Sequence, residues 1–286
     1  MRPDRRFQQM ERDFWAAVKF VSERGGYTNR STKEVKQFSP EEILGVYKKE
    51  MKGNDYLHRF INITEIEDHY LKELSEYFEY RADVLNVHFE QNLMDVSQAR
   101  QLFVEVSKRR SYWNAPFPQN KQSGDKKKIN YLTALVNMII EENLDELTCD
   151  YDPHKLPLFA RKVPIRVFSR RLDGAFPSIV NPIALWEIKE YYYTTTFGSR
   201  VADGVYETML DGLEIEESKE NTEFYVEHIL FIDGYFTWWD CGRSYLCRLI
   251  DILNMGLVDS IIVGREVISA LPEIVKGWKE RLYSDG

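Results

Sequence analysis

Apolar residues recur along the first part of the chain with the spacing of helix faces. Phe14, Trp15, Val18 and Val21 form one stripe, which stops at Gly25-Gly26. Ser39-Pro40-Glu41-Glu42 has the chemistry of a helix start: Ser39 as N-cap, Pro40 in the first turn, Glu42 closing a capping box. Ile43, Val46 and Tyr47 continue it as an apolar stripe. A third helix is predicted over residues 64–84, with Thr64 as cap, Glu67 closing a second box, and Ile66, Tyr70, Leu71, Leu74 and Phe78 on one face. Leu102, Phe103 and Val106 mark a fourth over 96–106. The polar segment 114–128, with Pro116, Pro118 and Gly124, reads as a linker or mobile loop. A strongly apolar helix follows, from Tyr131 and Leu132 through Ile139 and Ile140 to Glu141-Glu142-Asn143.

Beyond this helix the period shortens. Strands are predicted at 163–168, 172–176 and 185–192, then a helix over 200–213 with Val201, Val205, Met209 and Leu213 at four-residue steps, then a strand at 228–233. The paired Trp238 and Trp239 read as core, followed by a helix at 245–255, a strand at 260–263 and a short amphipathic helix at 271–282. The pattern predicts an α/β (α+β) chain in two parts: a mainly helical region over 1–118 and a mixed sheet flanked by helices over 128–286.

Side chains alternate faces along a strand, so Glu187 and Lys189 point one way while Trp186 and Ile188 point into a core. With Asp173 on the preceding strand, two carboxylates and a lysine gather on one sheet face. That set can hold a divalent cation and a water beside it, as metal-assisted phosphodiester hydrolysis requires. Asp and Glu-x-Lys are also common on solvated strand faces, and the β-β-β-α-β order around them is what favours a site.

Asp173, followed after thirteen residues by Glu187-Ile188-Lys189 on the next strand, resembles the PD-(D/E)xK nuclease superfamily, which includes most type II restriction endonucleases. Leu172 stands where that pattern often has proline. The resemblance covers roughly residues 128–265 and implies a restriction-endonuclease-like fold. It implies that Asp173, Glu187 and the Ile188 carbonyl ligate Mg²⁺, for which Mn²⁺ can substitute, and that Lys189 positions or helps deprotonate the attacking water. A helix ahead of the first strand often adds a third carboxylate in this family, which points to Glu141 or Glu142; exposed acids closing a core helix are the simpler account. The implied activity is a Mg²⁺-dependent endodeoxyribonuclease of restriction or phage-defence type acting on double-stranded DNA. A homodimer is implied, with a separate cognate DNA methyltransferase, and the region 1–118 becomes a candidate for DNA recognition or dimerisation. The alternatives are a non-catalytic or partner-activated DNA-binding protein on the same fold, and an interaction protein that uses the acidic stretch 211–227.

A net charge of −8 argues against nucleic acid until its distribution is considered. Arg166, Arg170 and Arg171 lead into Asp173 with no acid between 154 and 172, and Lys126, Lys127 and Lys128 close the linker. These, with Arg243 after Gly242, are the candidate DNA contacts. No P-loop or methyl-donor glycine loop is present. Cys149, Cys241 and Cys247 lack zinc spacing and fit a reducing cytosol, with Cys241 and Cys247 expected as small buried groups; His58, His69 and His88 are dispersed. The first residues carry no apolar signal core and no run approaches a membrane span, so a cytoplasmic protein without membrane contact is expected.

Overall fold

A computed structural model describes residues 1–54, 56–120, 124, 127–194, 198–220 and 225–284, with the backbone alone at 67, 68 and 220. Short α1 (Arg5–Gln8) leads to α2 (Arg12–Gly25), and α3 (Pro40–Met51) opens with the predicted capping box. The Ser39 hydroxyl accepts from the Glu42 N–H at 3.3 Å, and the Glu42 carboxylate accepts from the Ser39 N–H at 2.8 Å. The stretch predicted as one helix over 64–84 is instead two, α4 (Ile63–His69) and α5 (Leu71–Asp83). Tyr70 leaves helical geometry between them at φ −137°, and its hydroxyl reaches Asp13. Asn62, not Thr64, is the cap, accepting from the Thr64 N–H at 3.1 Å; the Glu67 side chain lies outside the described residues. A π-helical stretch, Val84–Phe89, and α6 (Glu90–Asn92) lead into α7 (Val96–Ser107), capped by Asp95.

The central sheet sits in the second part of the chain. After α8 (Tyr131–Asn143), strands β1 (Pro157–Ala160) and β2 (Val163–Val167) pair only with each other, turning through Arg161 and Lys162 at φ 49° and 67°. The predicted strand at 163–168 therefore does not join the main sheet. Its place beside β3 (Gly174–Phe176) is taken by Asp150, whose N–H and C=O each bond Ala175 at 2.9 Å. Next come β4 (Ala184–Glu190), α9 (Ser199–Glu220), β5 (Glu227–Asp233), α10 (Arg243–Asn254), β6 (Ser260–Val263) and α11 (Val267–Ser284). The order is β3-β4-β5-β6, antiparallel between β3 and β4 and parallel thereafter. The outer edge of β6 bonds the first residue: the Met1 amine donates to the Ile261 carbonyl at 2.6 Å, and the Ile261 N–H donates to the Met1 carbonyl at 2.9 Å.

Each face of the sheet has its own core. Trp186, Ile229, Phe231 and Ile262 pack against α8 and α11, while Leu230, Ile232, Ile261 and Val263 pack against α9 and α10. Trp278 of α11 stacks on Trp186 at 5.5 Å and on Phe176 at 5.4 Å. Full burial of one such ring stabilises by about 3 kcal/mol. The second part is also welded to the first. Arg81 of α5 is fully buried and donates to Asp251 of α10 at 3.0 and 3.2 Å and to Ser22 of α2 at 3.1 Å. Tyr77 donates to the same carboxylate at 2.6 Å. Among the described residues no helix is long and apolar enough to cross a membrane.

Candidate functional site

The site begins with a missing side chain. A Cβ on Gly174 would lie 1.8 Å from the Trp186 indole, so only glycine lets β3 pass beside that ring. Asp173, one residue earlier, continues the pairing with β4 by other means. Its N–H donates to the Trp186 carbonyl at 3.0 Å, and its carboxylate accepts the Ile188 N–H at 2.7 Å. The N–H and C=O of one strand residue leave on the same edge, so the Ile188 carbonyl also faces the edge that Asp173 occupies. Glu187 and Lys189 point to the opposite face from Trp186, under α9. Gly204 lets that helix come close: a Cβ there would meet the Lys189 Cδ at 3.4 Å.

α9 brings acids that complete a charged cluster. Lys189 Nζ donates to Glu187 Oε1 at 2.5 Å and to Glu207 Oε2 at 2.6 Å. Arg170 donates to Glu187 at 3.1 Å and to Asp211 at 2.5 Å, and forms an ion pair with Glu207 at 2.9 Å. Glu187 Oε2 is buried and receives no hydrogen bond. Burial, then the neighbouring Glu187 charge, pushes the Asp173 carboxyl up to about 7. Asp211 is likewise pushed up to about 7, by burial working against the Arg170 guanidinium. Burial opposes the Lys189 ammonium, but Glu187 and Glu207 outweigh it and raise its pKa, so it stays charged. Glu190, at the end of β4, accepts from the Leu132 N–H at 2.8 Å and the Thr133 hydroxyl at 3.0 Å, closing the first turn of α8; burial lifts it to about 8.

Among the described residues no group of three or more His, Cys, Asp or Glu side chains is arranged to hold a metal. Mg²⁺ needs fewer, since it keeps waters and takes substrate phosphate oxygens as ligands alongside one or two carboxylates. Asp173, the undonated Glu187 Oε2 and the Ile188 carbonyl fit that set: a cation there would satisfy the orphaned oxygen and relieve the repulsion between the two acids.

Other sequence-predicted residues lie elsewhere or are already paired. Glu141 accepts from the Asn114 and Ala115 N–H groups at 3.0 and 2.6 Å, and Glu142 pairs with Arg109 at 2.9 Å, so neither is a third carboxylate beside Asp173. They close the C-terminal turn of α8, where the arginines after α7 meet them. Glu207 and Asp211 hold the position nearer the site. Arg166 pairs with Glu214 and Glu217, and Arg171 with Asp152. Arg243 stacks 4.1 Å from the Trp239 ring centre and donates to the Trp239 and Lys33 carbonyls, bridging the two parts of the chain. Lys127 and Lys128 are exposed, and Lys126 lies outside the described residues. Cys247 is buried as expected, but Cys241 is exposed. His88 pairs with Glu266 at 2.7 Å.

The described fold is that of a mixed α/β protein with a buried cluster of acidic and basic side chains between a sheet face and a crossover helix. Residues 94–278 match the domain of unknown function DUF7687, and the chain belongs to that family. Residues 1–88 match a second domain of unknown function, DUF7690. The change between them, at 88–94, falls ahead of α7, which packs on α8 through Ala99 and Val106. No curated protein and no solved structure matches the chain.

Proposed function

We propose that this chain is a Mg²⁺-dependent endodeoxyribonuclease of the PD-(D/E)xK kind, with a restriction-endonuclease-like sheet and a restriction or phage-defence role. The observation that carries the reading is the contact between Asp173 and the Glu187-Ile188-Lys189 strand. The Asp173 carboxylate takes the Ile188 N–H and crowds Glu187, while Lys189 lies on the Glu187 face. The chain order supports it too: Asp150, β3 and β4 run antiparallel, α9 crosses over, and β5 returns parallel to β4.

In this reading Asp173, Glu187 and the Ile188 carbonyl would hold Mg²⁺ or Mn²⁺, which when bound would supply Lewis acidity to the phosphate and to a water. Lys189, kept charged by its two glutamates, would orient the attacking water and offset charge on the phosphorane; an ammonium so held donates hydrogen bonds and does not serve as the base. Double-stranded DNA is the substrate, a homodimer the assembly that would cut both strands, and a separate methyltransferase the protecting partner. Cleavage of mixed plasmid and phage DNA with Mg²⁺, with EDTA and with Lys189→Ala tests this. Discrete fragments should form with Mg²⁺ and vanish in both controls. Intact DNA with Mg²⁺ and with Mn²⁺ refutes it.

One observation favours a second reading, a partner-activated or non-cleaving DNA-binding protein. Arg166, Arg170 and Arg171 are all held by carboxylates in the free chain. That reading predicts salt-sensitive DNA retention without cleavage.

A further inference from the structure

Arg170 is the cation that ties the charged cluster together. Its guanidinium bridges Glu187, Glu207 and Asp211, three carboxylates from two elements. Glu187 and Lys189 keep only 6% and 10% of their side chains exposed, while Arg170 keeps 21% and Glu207 38%. Arg170 and Glu207 are therefore the more exposed members of the cluster, and of its two cations Arg170 is the more open to solvent. Within, Glu187 carries two cationic donors on Oε1 and none on Oε2. The carboxylate a metal would need is already neutralised from one side.

We propose that Arg170 is an internal counter-cation that competes with the divalent ion for the charge of Glu187 and Asp211 and passes to the substrate phosphate when the ion binds. A guanidinium serves both partners well, because its planar fork matches carboxylate and phosphate oxygens alike. With the ion in place, the carboxylates no longer need the arginine, and an incoming phosphodiester, which carries one negative charge, does. The free chain thus holds metal weakly, and metal and DNA strengthen each other's binding. The phosphate half of this proposal rests on the nuclease reading; the competition with metal does not.

The test is calorimetric titration of the full chain with Mn²⁺, without DNA, for wild type, Arg170→Ala and Arg170→Gln, with thermal melts to show that each folds. Removing one close positive charge from a partly solvated site should tighten Mn²⁺ binding about tenfold. Arg170→Gln, which keeps most of the side chain's bulk, should shift affinity the same way and decides the matter if Arg170→Ala does not fold. In cleavage assays the same variants should raise KM for DNA about tenfold, the loss expected for one charged phosphate contact. A purely structural arginine would weaken Mn²⁺ binding and DNA binding together. Unchanged or weaker Mn²⁺ affinity in a folded variant overturns the proposal. If the wild type cleaves nothing, the nuclease reading fails, and the Mn²⁺ titration still decides whether Arg170 restrains the site.

Discussion

Asp173→Asn should make the metal-free protein more stable at high pH, and under the proposed nuclease reading it should also abolish cleavage. The Asp173 carboxyl is raised from 3.8 to about 7 by burial and by Glu187. A carboxyl whose pKa is raised on folding contributes stability when protonated, and that contribution is lost as pH climbs from the unfolded value to the folded one. At about 1.4 kcal/mol per pKa unit, ionisation near pH 8 would cost up to about 4 kcal/mol. Relaxation and water penetration around a buried charge soften that cost, so about 2 kcal/mol is the expected gain from removing it. Asparagine fits the site without new strain. Its carbonyl can accept the Ile188 N–H, and its amide can donate to the Glu187 oxygen that now has no donor. Urea melts in EDTA at pH 5 and pH 8 are the assay. The variant should be about 2 kcal/mol more stable than wild type at pH 8 and within about 1 kcal/mol of it at pH 5, where the folded carboxyl is still protonated and only the unfolded one has ionised. A variant less stable at pH 8, or one with the same difference at both pH values, would show that the two acids do not share a crowded pocket.

Two further changes probe the frame around the site. Arg81→Ala leaves the Asp251 carboxylate without its charged partner at the seam between α5 and α10, and should cost about 3–5 kcal/mol in urea denaturation. Gly174→Ala drives a methyl into the Trp186 ring and should leave little soluble folded protein by circular dichroism, with part of the loss recovered in the Gly174→Ala, Trp186→Val double variant. An unaffected single variant would mean that β3 and β4 approach less closely.

The strand face of Glu187 and Lys189 was legible from sequence because period two leaves no choice once Trp186 and Ile188 are assigned to the core. The capping box at Ser39 was legible for a similar reason, since its two hydrogen bonds are local. Distant partners were not. The stretch 163–168 has a strand's pattern, and nothing in that pattern says that its neighbour is 157–160 rather than β3. On α9 the usual burial rule is inverted: Leu213 is half exposed, while Asp211 is buried, because Arg170 and the sheet acids make a polar pocket under the helix. Glu207, Asp211 and Glu214 recur at helical spacing opposite that exposed side, and this was the signal available for the missed carboxylates. It reads like any solvated helix face until Arg170 is placed beneath it.

The two margins of the sheet set how readily another chain could extend it. An open strand margin is a template on which another chain can add its own strand. Here the β6 side is taken by Met1 and the β3 side by Asp150, each through a pair of backbone hydrogen bonds. At these two points lateral growth of the sheet is blocked. An added strand would have to displace one of these pairs of hydrogen bonds before it could extend the sheet that carries Glu187 and Lys189.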